Sequence, residues 1–81
     1  MFEDIIPLIE QIASDRTVPR NIRERCEESV KILRDGDDPA EIRVNTVISY
    51  LDEMSNDPNI PMYTRTQIWN IVSILESAVK K

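Results

Sequence analysis

Residues 5–33 read IIPLIEQIASDRTVPRNIRERCEESVKIL, and residues 47–75 read VISYLDEMSNDPNIPMYTRTQIWNIVSIL. At an offset of 42, without a gap, seven of the 29 pairs are identical: Ile6/Ile48, Asp15/Asp57, Pro19/Pro61, Arg23/Arg65, Val30/Val72, Ile32/Ile74 and Leu33/Leu75. Ten pairs are apolar in both segments. The apolar matches fall at helical spacing, with the Asp–Pro segment between them. Helical composition alone aligns apolar positions, but it does not also bring Asp, Pro and Arg into one register. The reading is a duplicated helical hairpin, one copy over about 2–35 and the other over about 38–80, forming a single domain across 1–81.

Working outward, the first helix is expected from about Phe2 to Ser14, striped by Phe2, Ile5, Ile9 and Ile12 and widened by Ile6 and Leu8. Asp4 stands near its N-cap, so Pro7 costs no helical bond. Thr17 is expected to cap the second helix, with Pro19 in its first turn and an end near Arg34. Ile22, Cys26, Val30 and Leu33 form a narrow stripe there, and Arg20/Glu24, Arg23/Glu27 and Glu27/Lys31 are spaced as i,i+4 pairs. Gly36, the only glycine, sits where a left-handed C-terminal residue is wanted. Asp38, Pro39 and Glu41 read as cap, first helical residue and capping box of a third helix, striped by Ala40, Val44, Val47, Leu51 and Met54. The fourth helix runs from about Pro61 to Lys80 on a seam of Ile68, Ile71, Val72, Leu75, Ala78 and Val79, and Lys80 and Lys81 complement its negative end.

Four helices with short connections predict an all-α, antiparallel up-and-down four-helix bundle. The competing arrangement stacks two hairpins, like a fragment of a helical-repeat solenoid, but two repeats are fewer than such arrays need. At 81 residues, a core supplies only about 3–5 kcal/mol, so tight helix packing or self-association is expected.

Composition removes several kinds of chemistry. With no His there is no imidazole base, no Ser–His or Cys–His nucleophile and no His-ligated metal. One Cys allows neither an internal disulfide nor a thiolate zinc site, and one Gly allows no glycine-rich phosphate loop. Asp35, Asp37, Asp38 and Glu41 lack the ligand spacing of a calcium loop. Neither a catalytic residue, a cofactor nor a metal is expected, nor a small-molecule substrate. Met1–Glu10 lacks the basic start and apolar run of a secretory signal, and no stretch approaches a membrane span. With the single free Cys, this fits a cytoplasmic protein.

Asp15 and Asp57 are assigned to turn-capping, each followed eight residues later by an Arg that ties the turn to the next helix. Asp38 is assigned to capping as well. Cys26 aligns with Ile68 and reads as a small core residue. Trp69 and Ile74 flank the seam of the fourth helix on opposite sides, and a monomeric bundle cannot cover both. They are candidate interface residues, with the Trp69 side expected to be partly exposed. Arg20 and Arg23 are further candidates, on a basic second helix.

The segments Asp15-Arg-Thr-Val-Pro-Arg-Asn-Ile-Arg23, Leu51-Asp-Glu-Met-Ser-Asn-Asp-Pro-Asn-Ile-Pro61 and Thr64-Arg-Thr-Gln-Ile-Trp-Asn-Ile-Val72 resemble the archaeal uncharacterised protein family 0147 over nearly the whole chain. That resemblance implies a small, intracellular, all-helical archaeal protein. It implies no activity, and it carries no functional residues over.

The function expected is a non-enzymatic protein–protein interaction module with an unidentified partner or a second copy, a dimer in the latter case. Net charge supports this: residues 16–34 sum to +3 and residues 35–57 to −6, so segments of two chains can face each other. The alternative is an RNA- or ribosome-associated protein using Arg20, Arg23, Lys31 and Arg34. An overall charge of −5, interleaved Glu and the lack of an aromatic on that face weigh against nucleic acid.

Overall fold

A computed structural model describes residues 2–79. It contains four helices, α1 (Ile6–Ala13), α2 (Arg20–Asp35), α3 (Ala40–Ser55) and α4 (Met62–Val79), and no strand among the described residues. The expected roles of Lys80 and Lys81 lie outside them.

The helices form a ring. α1 packs on α2, α2 on α3, α3 on α4, and α4 closes back on α1 more lightly. Stacked hairpins would instead bring α1 to α3 and α2 to α4, and neither pair is adjacent. The up-and-down bundle is therefore the architecture.

One core fills the ring. It takes Ile6, Ile9 and Ile12 from α1, Ile22, Cys26, Val30 and Leu33 from α2, Val44, Val47, Leu51 and Met54 from α3, and Ile68, Ile71 and Leu75 from α4. Phe2, Ile5, Val18 and Ile60 seal its ends from outside the helices. Burial agrees in register between the two aligned segments: Ile9/Leu51, Ile12/Met54, Val18/Ile60, Cys26/Ile68 and Leu33/Leu75 are buried in both. Ala78 departs from its expected place in the seam and is exposed.

The helix starts differ from expectation. At α1 the difference is slight: residues 3–5 form a turn and Ile5 is the N-cap, so Asp4 stands one residue before it and Pro7 falls in the first turn, as expected. Neither Thr17 nor Asp38 caps a helix: Pro19 and Pro39 are the N-caps of α2 and α3, with ψ of 148° and 149° and no side-chain cap bond. The Pro61 carbonyl likewise accepts the first helical bonds, from the N–H groups of Thr64 and Arg65. Proline suits this place because its fixed φ allows the extended N-cap conformation and it has no N–H to strand.

An arginine four residues later completes two of these turns. Arg43 donates through Nε to the Asp38 carbonyl at 2.8 Å and through Nη1 to the Leu33 carbonyl at 2.9 Å. Arg65 donates through Nε to the Ser55 carbonyl at 2.8 Å and through Nη2 to the Asp57 carbonyl at 3.0 Å. Helical side chains lean toward the N-terminus, so an arginine here reaches back over the turn. There it satisfies carbonyls that the end of the preceding helix leaves orphaned.

Gly36 is extended, with φ of −68° and ψ of 143°, rather than left-handed. Its role is space: a Cβ there would lie 2.5 Å from both Arg43 Cδ and the Ile32 carbonyl oxygen. Thr64 is the opposite case, a fully buried hydroxyl with no partner among the described residues.

Chemical denaturation should therefore find Gly36→Ala less stable by about 1–3 kcal/mol, the range for a forced steric insertion. Thr64→Val should be more stable by about 1 kcal/mol, since it keeps the shape and removes an unsatisfied buried hydroxyl.

Candidate functional site

The two aspartate turns match bond for bond. Asp15 Oδ1 accepts the Thr17 N–H at 2.9 Å, and Asp57 Oδ1 accepts the Asn59 N–H at 2.8 Å. The carbonyls of the same aspartates accept from the N–H groups of Val18 and Ile60. Both are Asx turns, the short-range closure that aspartate favours. Their arginines diverge. Arg65 ties its turn down as expected, whereas Arg23 Nε is buried without a partner among the described residues. Asp38 contributes only its main-chain carbonyl, accepting from Arg43.

Tyr63, at the start of α4, joins the two turns. Its hydroxyl donates to Asp15 Oδ2 at 2.8 Å, while the Thr17 hydroxyl donates to Asp15 Oδ1 at 2.6 Å. The two hydroxyl oxygens also approach each other. The two hydroxyl protons go to the carboxylate, and the third edge is a close approach of the two hydroxyl oxygens. The hydrogen bonds from Thr17, then the one from Tyr63, hold the Asp15 carboxyl below its ordinary range.

On α2 the basic residues are largely engaged. Arg20 lies 3.8 Å from Glu24, Arg25 lies 3.7 Å from Glu28, and Arg34 lies 3.8 Å from Glu10 on α1. The expected pairs Arg23/Glu27 and Glu27/Lys31 are not among them. The Arg25 guanidinium also sits 4.4 Å over the Tyr50 ring of α3. No ion pair among the described residues joins segment 16–34 to segment 35–57, so the charge division remains outside the fold's own pairing.

Cys26 is buried, with its thiol 3.7 Å from Met54 Sδ. Burial, with a smaller contribution from Glu27, pushes the thiol up to about 12. It is therefore a protonated core group at neutral pH, not a nucleophile. Among the described residues, no group of three or more His, Cys, Asp or Glu is placed to hold a metal, and no helix is long and apolar enough to cross a membrane. A cleft of about 570 Å³ opens between Phe2, Ile6, Glu10, Leu33, Arg34 and Arg43. Its charged walls are already committed, Arg34 toward Glu10 and Arg43 to two carbonyls.

Of the exposed large apolar side chains among the described residues, Ile42 lies on α3 and the other four, Met62, Tyr63, Trp69 and Ile74, lie on α4. Trp69 is 55% exposed and Ile74 is 37% exposed, so both edges of the seam are open to solvent, not one. Met62, one heptad before Trp69, is 66% exposed. The exposed positions of the described helix are Met62, Tyr63, Thr66, Trp69, Asn70, Ser73, Ile74, Glu76, Ser77 and Ala78, and Glu76 alone carries charge. On α2, by contrast, every exposed position except Asn21 is charged. Sequence reasoning singled out Trp69 and Ile74 but missed Met62, Tyr63 and Arg43. Two signals marked Met62 and Arg43, and none marked Tyr63: the seven-residue spacing of Met62 and Trp69 opposite the seam, and the thrice-recurring Pro-x-x-x-Arg of Pro19/Arg23, Pro39/Arg43 and Pro61/Arg65.

These features define a small all-helical bundle whose distinctive surface is a helix face. The chain belongs to the Uncharacterised protein family (UPF0147), whose family model matches residues 1–78. A UPF0147 protein of Methanothermobacter thermautotrophicus is 50% identical over 76 residues, covering 94% of this chain and 74% of that protein. UPF0147 protein MJ1419 of Methanocaldococcus jannaschii is 51% identical over 70 residues, covering 85% and 74%. The crystal structure of a family member from Thermoplasma acidophilum matches with a TM-score of 0.88 at 38% identity, covering 94% of this chain and 89% of that one. That of the unknown-function protein MMP1188 matches with a TM-score of 0.87 at 45% identity, covering 94% and 86%. The family resemblance read from the turn segments is thereby established.

NMR titration should place the Asp15 carboxyl below a model aspartate, and Tyr63→Phe should move it back up. The folded state binds this proton less readily than the unfolded chain. Its stabilising contribution is therefore full above the unfolded pKa and is lost as pH falls through the lowered folded pKa.

Proposed function

We propose that this protein is a non-catalytic, cytoplasmic protein–protein interaction module that docks through the outer face of α4. The carrying observation is that face itself, with Met62 and Trp69 exposed on a helix whose exposed positions hold a single charge. Exposed tryptophan in weakly charged surroundings is the composition of interface centres, where charge is depleted and aromatic side chains supply most of the binding energy.

RNA as the partner is less well supported. Arg20, Arg25 and Arg34 lie against carboxylates, which weakens the field that a phosphate backbone needs. Tyr50 of α3, against which α2 packs, is already covered by Arg25.

A photo-activated amino acid at position 69, with a control at Glu28 on α2, tests the reading in cells. We expect polypeptide adducts from position 69, mapped by mass spectrometry, and none from position 28. No polypeptide adduct at 69, or nucleic-acid adducts at 28, would reverse it.

A further inference from the structure

The outer stripe of α4 alternates in size. Met62, Thr66, Trp69 and Ser73 follow one another at spacings of four, three and four residues, and all four are exposed. At about 100° per residue, they fall within roughly 60° of one another around the helix, a single straight ridge. Large and small side chains therefore take turns along it.

We infer that α4 packs antiparallel against α4 of a second copy of this chain, with Trp69 beside the twofold axis. This rests on the reading of the α4 outer face as an interaction surface, and it names the partner. In an antiparallel pair, a twofold axis midway between Thr66 and Trp69 sets Trp69 on the partner's Thr66. The same operation sets Met62 on the partner's Ser73, and every contact repeats in reverse, as an isologous interface requires. Each large side chain then meets a small one. Parallel pairing would set Trp69 on Trp69 and Met62 on Met62, and would leave Thr66 and Ser73 facing each other across gaps. The alternation thus fits one orientation and one register.

Charge does not oppose the pairing. From Met62 to Ser73 the only charged residue is Arg65. Its guanidinium is turned back onto the Ser55 and Asp57 carbonyls, away from the stripe's own bonding. Glu76 lies one turn beyond the paired segment. No like charges face each other, and no unpaired charge is trapped. Thr66 already satisfies its hydroxyl on the Met62 carbonyl at 3.2 Å, so covering it strands no donor. One helix per chain is a small interface, which places the dimer among weak associations, with a Kd of about 10–100 µM.

The register is tested by exchanging the sizes. Trp69→Thr sets small on small, and Thr66→Trp sets large on large. The double variant Thr66→Trp/Trp69→Thr restores large on small across the axis. All changes are at exposed positions, and thermal melts check that each variant folds. By sedimentation equilibrium of the full chain, each single variant should weaken dimerisation by at least about tenfold, with the double variant within about threefold of the wild type. A wild type that stays monomeric at about 1 mM would overturn self-pairing, as would a double variant no tighter than the single ones. Adducts from position 69 to a different protein would then still uphold the α4 face as a docking surface, whereas their absence would remove that face too.

Discussion

A helix cannot stop inside a small bundle until its last carbonyl groups are bonded, and this constraint organises the chain's reversals. α2 and α3 each end on carbonyls that receive an arginine from the helix that follows. The arginine reaches that far because its helix begins on a proline four residues earlier and because helical side chains lean toward their own N-terminus. These two reversals are thus held from their far side. Arg43 extends this further, lying 5.6 Å over the Phe2 ring and so linking the start of the chain to the α2–α3 turn.

Only with the ends held can the inner stripes meet. The core is drawn from all four helices, with Val18 and Ile60 closing it from two equivalent turns. α1 has only eight residues, so it offers a short wall, and α4 closes against it more lightly than any other neighbouring pair. The longest helix consequently presents a broad face to solvent. A stripe on the far side of a helix cannot be turned inward without turning Ile68, Ile71 and Leu75 out. Burial of the seam and exposure of Met62 and Trp69 are the same rotational choice, fixed by which side buries more apolar area.

The surfaces of α2 and α4 differ in kind. α2 shows solvated charges that pair locally, each pair worth little alone. α4 shows apolar, aromatic and small polar groups with Glu76 as the single exposed charge of the described helix. The Asp15–Thr17–Tyr63 triangle connects them, since it fastens the start of α4 to the turn that precedes α2.

The sequence by itself determined the four helices, the bundle, the apolar stripes and the two Asx turns, because each depends on residues only a few positions apart. Cys26, Val47 and Leu51 were legible as core from periodicity alone. Tertiary structure decided what depends on distant partners. Gly36 makes room for Arg43, seven residues on, instead of supplying a left-handed turn. Pro19 and Pro39 stand at the N-caps where Thr17 and Asp38 were expected, and neither cap makes a side-chain bond. Arg23 and Arg65 are identical in the alignment, yet only Arg65 finds its carbonyls. Exposure on the Trp69 side was expected from the breadth of the arc, but exposure of the Ile74 edge as well was not. An amphipathic arc tells which side is apolar, but only the number and length of neighbouring helices set how much of that arc they can cover.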